Sequence, residues 1–156
     1  MIEDYEMMVR ECCLPIMNQY EFQFEKLDGE EFFLVGKGYA LYIFVDRRDM
    51  RADVWFVSLD KNGKISTHSL MDVMEDRFDE NDSSCYGNPK SPDEQVMGYI
   101  RFAVSGLIRH CQDILSGDPR WVNQIITEGR DSRHVAKFLA PHFREQGYSV
   151  IISEQI

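Results

Sequence analysis

Residues 39–69 read YALYIFVDRRDMRADVWFVSLDKNGKISTHS, and this stretch decides the fold. The segment Tyr39–Val45 is apolar at nearly every position, which is typical of a strand buried on both faces. A charged loop leads to a second strand, Asp53–Leu59. Asp60-Lys61-Asn62-Gly63 is then a hairpin turn signal before a third strand, Lys64–Ser69. Both links are too short for a crossover helix, so neighbouring strands must pair antiparallel.

Two more strands precede this stretch. Aromatic residues alternate with polar ones from Tyr20 to Phe24, which predicts a strand with one wet face. Asp28-Gly29 turns the chain, and Glu31–Val35 forms the next strand. Residues 2–16 carry apolar side chains at helical spacing and predict an N-terminal helix. The first half is therefore expected to be a helix followed by a five-stranded antiparallel meander.

The second half changes to helical spacing. Residues 70–78 predict a short amphipathic helix, and residues 79–90 a polar loop. Ser91-Pro92-Asp93-Glu94 is a helix start, and its apolar stripe runs to Gly117. Shorter helices are expected from residue 118, carrying Trp121 and Ile125, and over residues 132–146, disturbed near Pro141. Residues 148–152 are β-like and could pair at a sheet edge.

These elements predict a single α+β domain over residues 1–156, with the C-terminal helices packed on one sheet face. The second face is also apolar. The remaining chain, a second subunit or a bound partner must cover it.

The charge of the chain limits the classes of partner that it is expected to bind. It has 17 basic and 27 acidic residues, a formal net charge of −10 and a pI near 4.8. Such a charge repels nucleic acid and anionic membranes and attracts basic proteins. No apolar run is long enough to span a bilayer. The acidic N-terminus and the four cysteines predict a cytoplasmic protein with reduced thiols.

Half of the net charge lies in residues 72–82, where six carboxylates face one arginine, a net charge of −5. Several are three or four residues apart, so a helix would present them on one face. A solvated face, recognition of a basic partner and divalent metal binding all remain open as explanations. A calcium loop beginning at Asp79 fails, because its sixth position is Ser84 and its twelfth is Lys90. No metal or cofactor is expected.

The sequence contains no recognisable catalytic motif. Ser105 lacks the glycines of a nucleophile elbow, and the four histidines, His68, His110, His134 and His142, have no zinc-ligand spacing. Enzymatic activity is not expected, although Cys111 with a distant histidine stays open, as does a hydrolase built from distant segments. Arg47 and Arg48 either form local ion pairs or contact a partner or an anionic ligand.

In size, acidity, α+β build and lack of a catalytic motif, the chain resembles the immunity proteins of bacterial toxin systems. That resemblance implies a tight complex with a basic toxin domain. If the toxin is a nuclease, carboxylates take the place of substrate phosphates. The alternative is a small-ligand-binding or structural domain that acts as a homodimer through its aromatic sheet face. The residues expected to contact the partner are Asp72, Glu75, Asp76, Asp79, Glu80 and Asp82, with Tyr86 as an aromatic anchor.

Overall fold

The sheet is a meander of five antiparallel strands. The computed structural model describes residues 2–124 (122–124 by their backbone only) and 132–152. Strand order follows chain order: β1 (Gln23–Lys26), β2 (Glu31–Val35), β3 (Tyr39–Asp46), β4 (Arg51–Leu59) and β5 (Ile65–Ser69). The first strand begins three residues later than expected, because Tyr20 ends the N-terminal helix by donating its N–H to the Ile16 carbonyl at 2.9 Å.

The helices precede and follow the sheet. They are α1 (Glu6–Gln19), α2 (Met71–Arg77), α3 (Glu80–Ser84), α4 (Pro92–His110), α5 (Gln112–Leu115) and α6 (Arg133–Glu145), and Pro119–Gln124 forms a 3₁₀ helix. The predicted α+β fold is confirmed. The expected polar loop at 79–90 contains α3, and α6 runs through Pro141 without a break. Ile125 lies outside the described residues.

Helix α4 begins where the sequence indicates. The Ser91 hydroxyl accepts the Glu94 N–H at 3.2 Å, and Pro92 occupies the first turn, where a missing N–H costs nothing. The helix ends at His110 rather than at Gly117, because Cys111 leaves helical geometry (φ −127°, ψ 43°). The apolar stripe continues on α5, so the chain bends while the buried face is kept.

Alternating side chains on the strands separate two cores. Phe32, Leu34 and Phe56 face α1 and α4, while Phe33 and Val57 face α6. Strands β2 and β3 are thus buried on both faces, as their near-continuous apolar runs require. The sequence left open whether the remaining chain, a second subunit or a partner covers the second sheet face. Helix α6, a part of the remaining chain, covers it.

The β4–β5 turn also anchors the C-terminal end of the described chain. Asp60 accepts the N–H groups of Asn62 and Lys64 at 2.8 and 2.9 Å. Gly63 has φ +85°, and its carbonyl accepts the Ile151 N–H at 2.8 Å. This contact continues as a parallel bridge at the sheet edge. The β-like end of the chain therefore pairs there as expected.

Two glycines on α4 allow residues 78–86, which include part of the acidic segment, to lie directly on that helix. A Cβ at Gly106 would come within 2.1 Å of the Phe78 ring, and one at Gly98 within 2.6 Å of the Tyr86 carbonyl oxygen. Both distances are far inside van der Waals contact. The absence of side chains at these positions thus sets where residues 78–86 sit. No helix in the described part of the chain is long and apolar enough to cross a membrane.

Candidate partner-binding surface

The acidic segment divides into exposed and internally bound carboxylates. Glu75, Asp76 and Glu80 are exposed, and none of them forms an ion pair with another described residue. We call these three residues the acidic surface. Asp72 is half-buried and makes an interaction of its own. Asp79 and Asp82 both bind residues of α4; Asp82 is buried, whereas the Asp79 side chain remains 44% exposed.

Asp79 and Asp82 cap α3 reciprocally. The Asp79 carboxylate accepts the N–H of Asp82 at 3.2 Å, and the Asp82 carboxylate accepts the N–H of Asp79 at 3.0 Å. Each carboxylate thereby satisfies a backbone donor that the first turn of a helix leaves without a partner. This pair forms the N-terminus of α3.

The same two carboxylates tie α3 to α4. Arg109 donates to Asp79 at 3.0 Å and to Asp82 at 2.9 Å, and the Ser105 hydroxyl donates to Asp82 at 2.9 Å. His110 Nε2 lies 3.0 Å from the second Asp82 oxygen. Asp82 has 0% of its surface exposed. A side chain that buried cannot contact a partner, so Asp82 leaves the expected contact set, and Asp79 is largely committed to α4.

Charge and hydrogen bonding keep both groups ionised. The hydrogen bond from Arg109 lowers the pKa of Asp79 below its usual 3.8. Burial works to raise the pKa of Asp82, but its hydrogen bonds from the Asp79 amide, Ser105 and Arg109 outweigh burial, and the pKa is lowered.

One ligand atom from each of Asp79, Asp82 and His110 could in principle meet at a metal ion, since these atoms lie within 4.8 Å of one another. The guanidinium of Arg109 already bridges both carboxylates at about hydrogen-bond distance. A divalent cation would have to displace it or sit beside a fixed positive charge. The cluster therefore fits an internal ion-pair network better than a metal centre.

Arg77, the one basic residue of the segment, also turns inward. Its guanidinium forms a two-pronged contact with Asp113 on α5, at 2.6 and 3.0 Å. Such paired contacts hold arginine in one orientation. The hydrogen bond from Arg77 lowers the pKa of Asp113. With Arg77 bound to α5 and Arg109 to α3, the acidic surface keeps its full negative charge.

An apolar groove of about 400 Å³ lies beside the acidic surface, between β4, α2 and α4. Glu75 stands on its edge, and an Arg51–Asp53 ion pair of 2.8 Å closes another side. Met71 is 53% exposed, a large apolar side chain facing water. The apolar side chains that line the groove are Val54, Met71, Met74, Tyr99 and Phe102.

Tyr86, the expected aromatic anchor, is half-buried and packs edge-on against Tyr99, with ring centroids 5.1 Å apart. Because Tyr99 lines the groove, Tyr86 supports the groove wall. The contribution of Val54, Tyr99 and Phe102 was not expected. They lie on β4 and α4 at positions that periodicity assigns to core packing. Met71, at the start of α2, is the residue from which the sequence could have indicated an exposed apolar surface here.

The other candidate residues are Arg47, Arg48 and Cys111. Arg47 donates to the Ile2 carbonyl at 2.6 Å, contacts Glu30 and lies over the Tyr5 ring at 4.8 Å, so it fastens the N-terminus to the sheet. Arg48 is exposed. Burial raises the pKa of the Cys111 thiol to about 11, which keeps the thiol protonated and a poor nucleophile.

Comparison of the chain with known protein families, with curated proteins and with solved structures found no match. The fold and this surface define an acidic α+β domain with an exposed group of carboxylates beside an apolar groove.

Proposed function

We propose that this protein is an inhibitor of the immunity type, which neutralises a basic protein partner by forming a tight complex. The acidic surface would steer and orient the partner, and the groove would bury an apolar side chain of it. If the partner is a toxin nuclease, Glu75, Asp76 and Glu80 would occupy positions that substrate phosphates take.

The observation that carries this proposal is that nearby arginines are bound to other carboxylates, so they do not neutralise the acidic surface. Arg77 and Arg109 are bound to Asp113, Asp79 and Asp82 of the same chain, and Arg51 beside the groove is paired with Asp53. Three carboxylates within six residues are left facing water and repelling one another. An outside cationic surface would relieve that repulsion, and charge complementarity of this kind raises association rates.

The groove supports the proposal because charge by itself gives speed and orientation more than affinity. Tight interfaces usually depend on a few buried apolar or aromatic anchors near their centre. The groove is lined by Val54, Tyr99, Phe102 and two methionines, and Glu75 joins it to the acidic surface. Methionine adapts its shape to an incoming side chain. A partner segment with one large apolar residue flanked by lysine or arginine would fit both features.

The test starts with the protein encoded immediately upstream of this chain's gene. Expressed alone in a host cell it should arrest growth, and co-expression of this chain should restore growth. A harmless upstream product, or one that does not bind, would contradict the proposal.

Binding kinetics then locate the interface. The triple variant Glu75→Lys, Asp76→Lys and Glu80→Lys should associate roughly 10- to 1,000-fold more slowly at low salt, with a weaker salt dependence. The control is the variant Glu3→Lys, Glu21→Lys and Glu145→Lys, whose three carboxylates are also exposed. Each variant takes the formal charge from −10 to −4, since three residues change by two charges each. Equal slowing in both variants would mean that only net charge matters.

A second candidate is a homodimeric small-ligand or structural domain. Met7 and Leu14 are 84% and 43% exposed and lie two turns apart on α1, as residues at a helix–helix interface do. Sedimentation velocity separates the candidates. A monomer at micromolar concentration supports the inhibitor, and a dimer lost on Met7→Glu supports the second candidate.

A further inference from the structure

A second cavity, of about 390 Å³, opens on the opposite sheet face, beside the start of α6. Tyr42, Phe44 and Trp55 form its apolar wall. Its polar side carries Glu31 from β2 together with Ser132 and His134 from the N-terminal end of α6. The volume falls within the ~300–1,000 Å³ range of small-ligand pockets. The sequence separates Glu31 from His134 by 103 residues, so only the fold brings them together.

The three polar side chains form a continuous hydrogen-bonded chain. His134 Nε2 lies 2.7 Å from a Glu31 carboxylate oxygen, and His134 Nδ1 lies 3.2 Å from the Ser132 hydroxyl oxygen. A carboxylate only accepts hydrogen bonds, so Nε2 must carry the proton. In a neutral ring Nδ1 then has a free lone pair, and the Ser132 hydroxyl donates to it. This is the order nucleophile, base and orienting acid that activates a serine.

The orienting carboxylate is held firmly. Glu31 is 14% exposed, and the Tyr42 hydroxyl donates to the same oxygen that faces His134. The ring of Tyr42 packs edge-on against the imidazole, with centroids 6.2 Å apart. His134 itself is 58% exposed, so its imidazole is in contact with water.

Ser132 sits at the cap position of α6 but does not use its hydroxyl as a cap. Serine at this position usually accepts an N–H from the first turn. Here the hydroxyl is turned to His134 instead. The first-turn N–H groups of a 13-residue helix lie next to it, and such groups stabilise a developing negative charge.

We propose that Ser132, His134 and Glu31 form an acyl-transfer site that takes small apolar esters. In the first step the Ser132 oxygen bonds to the ester carbonyl carbon while its proton passes to His134 Nδ1. The resulting oxyanion lies at the α6 N-terminus. The C–O bond to the alcohol then breaks, and the alcohol leaves with the proton from Nδ1. Water, deprotonated by the same nitrogen, then bonds to the acyl carbon. The bond from that carbon to the Ser132 oxygen breaks, and the serine takes back the proton as the acid leaves.

The molecule contains a matched comparison for this site. The Ser58 hydroxyl lies 3.4 Å from His68 Nε2, so it too is a serine–histidine pair. The other ring nitrogen of His68 has no hydrogen-bond partner among the described residues, and no carboxylate orients that ring. Burial also lowers the pKa of His68, which weakens it as a base. The proposal therefore requires Ser132 to react and Ser58 to stay inert.

The experiment uses the full chain and a fluorophosphonate probe, which forms an oxygen–phosphorus bond to an activated serine and releases fluoride. Peptide mass mapping should find the probe on Ser132 and not on Ser58. Ser132→Ala should abolish labelling, and Ser58→Ala should leave its rate unchanged. His134→Gln should slow labelling about 100-fold or more, and Glu31→Gln at least about tenfold. p-Nitrophenyl butyrate should be hydrolysed with the same ranking of variants and should compete with the probe.

Thermal melting confirms that each variant is folded before rates are compared. The proposal is overturned if Ser132 stays unlabelled in the native chain, or if His134→Gln is labelled as fast as native protein. The triple lysine variant of the acidic surface should be labelled at the native rate, because that surface lies elsewhere. A failure at this site and a failure of the inhibitor function are thus measured separately.

Discussion

Replacing Gly106 with alanine tests how the acidic segment is seated on α4. An added Cβ would come within 2.1 Å of the Phe78 ring, whose edge packs on Phe102 with centroids 5.2 Å apart. Phe78 joins α2 to the residues that cap α3, so displacing it displaces the acidic surface. Overpacking of a filled site costs about 1–3 kcal/mol, and a contact this short belongs at the upper end. Alanine offsets about 1 kcal/mol of that through its better helix propensity.

The net expectation is a loss of about 1–2 kcal/mol in the free energy of unfolding. Urea unfolding followed by tryptophan fluorescence measures it. In a Phe78→Ala background the ring is gone, and Gly106→Ala should then stabilise by about 1 kcal/mol through helix propensity. This reversal of sign isolates the contact, because the propensity effect is common to both backgrounds. If Gly106→Ala stabilises the native chain, or if both backgrounds respond alike, the close approach of Phe78 does not determine the position of the segment.

Further predictions concern the network and the thiols. Asp82→Ala should cost about 2 kcal/mol of unfolding free energy because it strips a buried hydrogen-bonded cluster, whereas Glu80→Ala should change it by less than about 0.5 kcal/mol. The pKa values of Asp79 and Asp82 are lower folded than their usual 3.8, so their stabilisation is present above that pH and is lost as pH falls through the lowered values. An acid titration of unfolding free energy should therefore fall below about pH 4, and Asp82→Asn should flatten that fall. With Ellman's reagent, exposed Cys85 should react first and the other three thiols only slowly; rapid reaction of all four in native protein would contradict the packing.

Sequence patterns predicted the sheet well because the patterns that specify its strands and turns are local in the chain. Alternation of polar and apolar residues, apolar runs and the Asp60–Gly63 turn each act over a few residues, and short links force antiparallel pairing. The Ser91 cap and Pro92 likewise located the start of α4. The end of α4 was missed, because Cys111 leaves helical geometry while the apolar spacing continues onto α5.

The candidate surface could be predicted only in part. Crowding of carboxylates at residues 72–82 is visible in the sequence, but which of them face water is not. Asp79 and Asp82 are bound by Arg109, which lies 27 residues or more further along the chain. Since sequence spacing says nothing about such pairing, buried and exposed carboxylates look alike until the helices are packed.

What the amino-acid sequence determined is the N-terminal helix, the meander, the helical second half, the acidic charge and the segment that carries it. These depend on backbone periodicity and composition, which act over short distances along the chain. Tertiary packing decided which carboxylates remain for a partner, that α6 covers the second sheet face, and that Glu31 meets Ser132 and His134 there. Each of these depends on groups far apart in the chain whose contact arises when apolar faces are buried together, and no local pattern encodes that meeting.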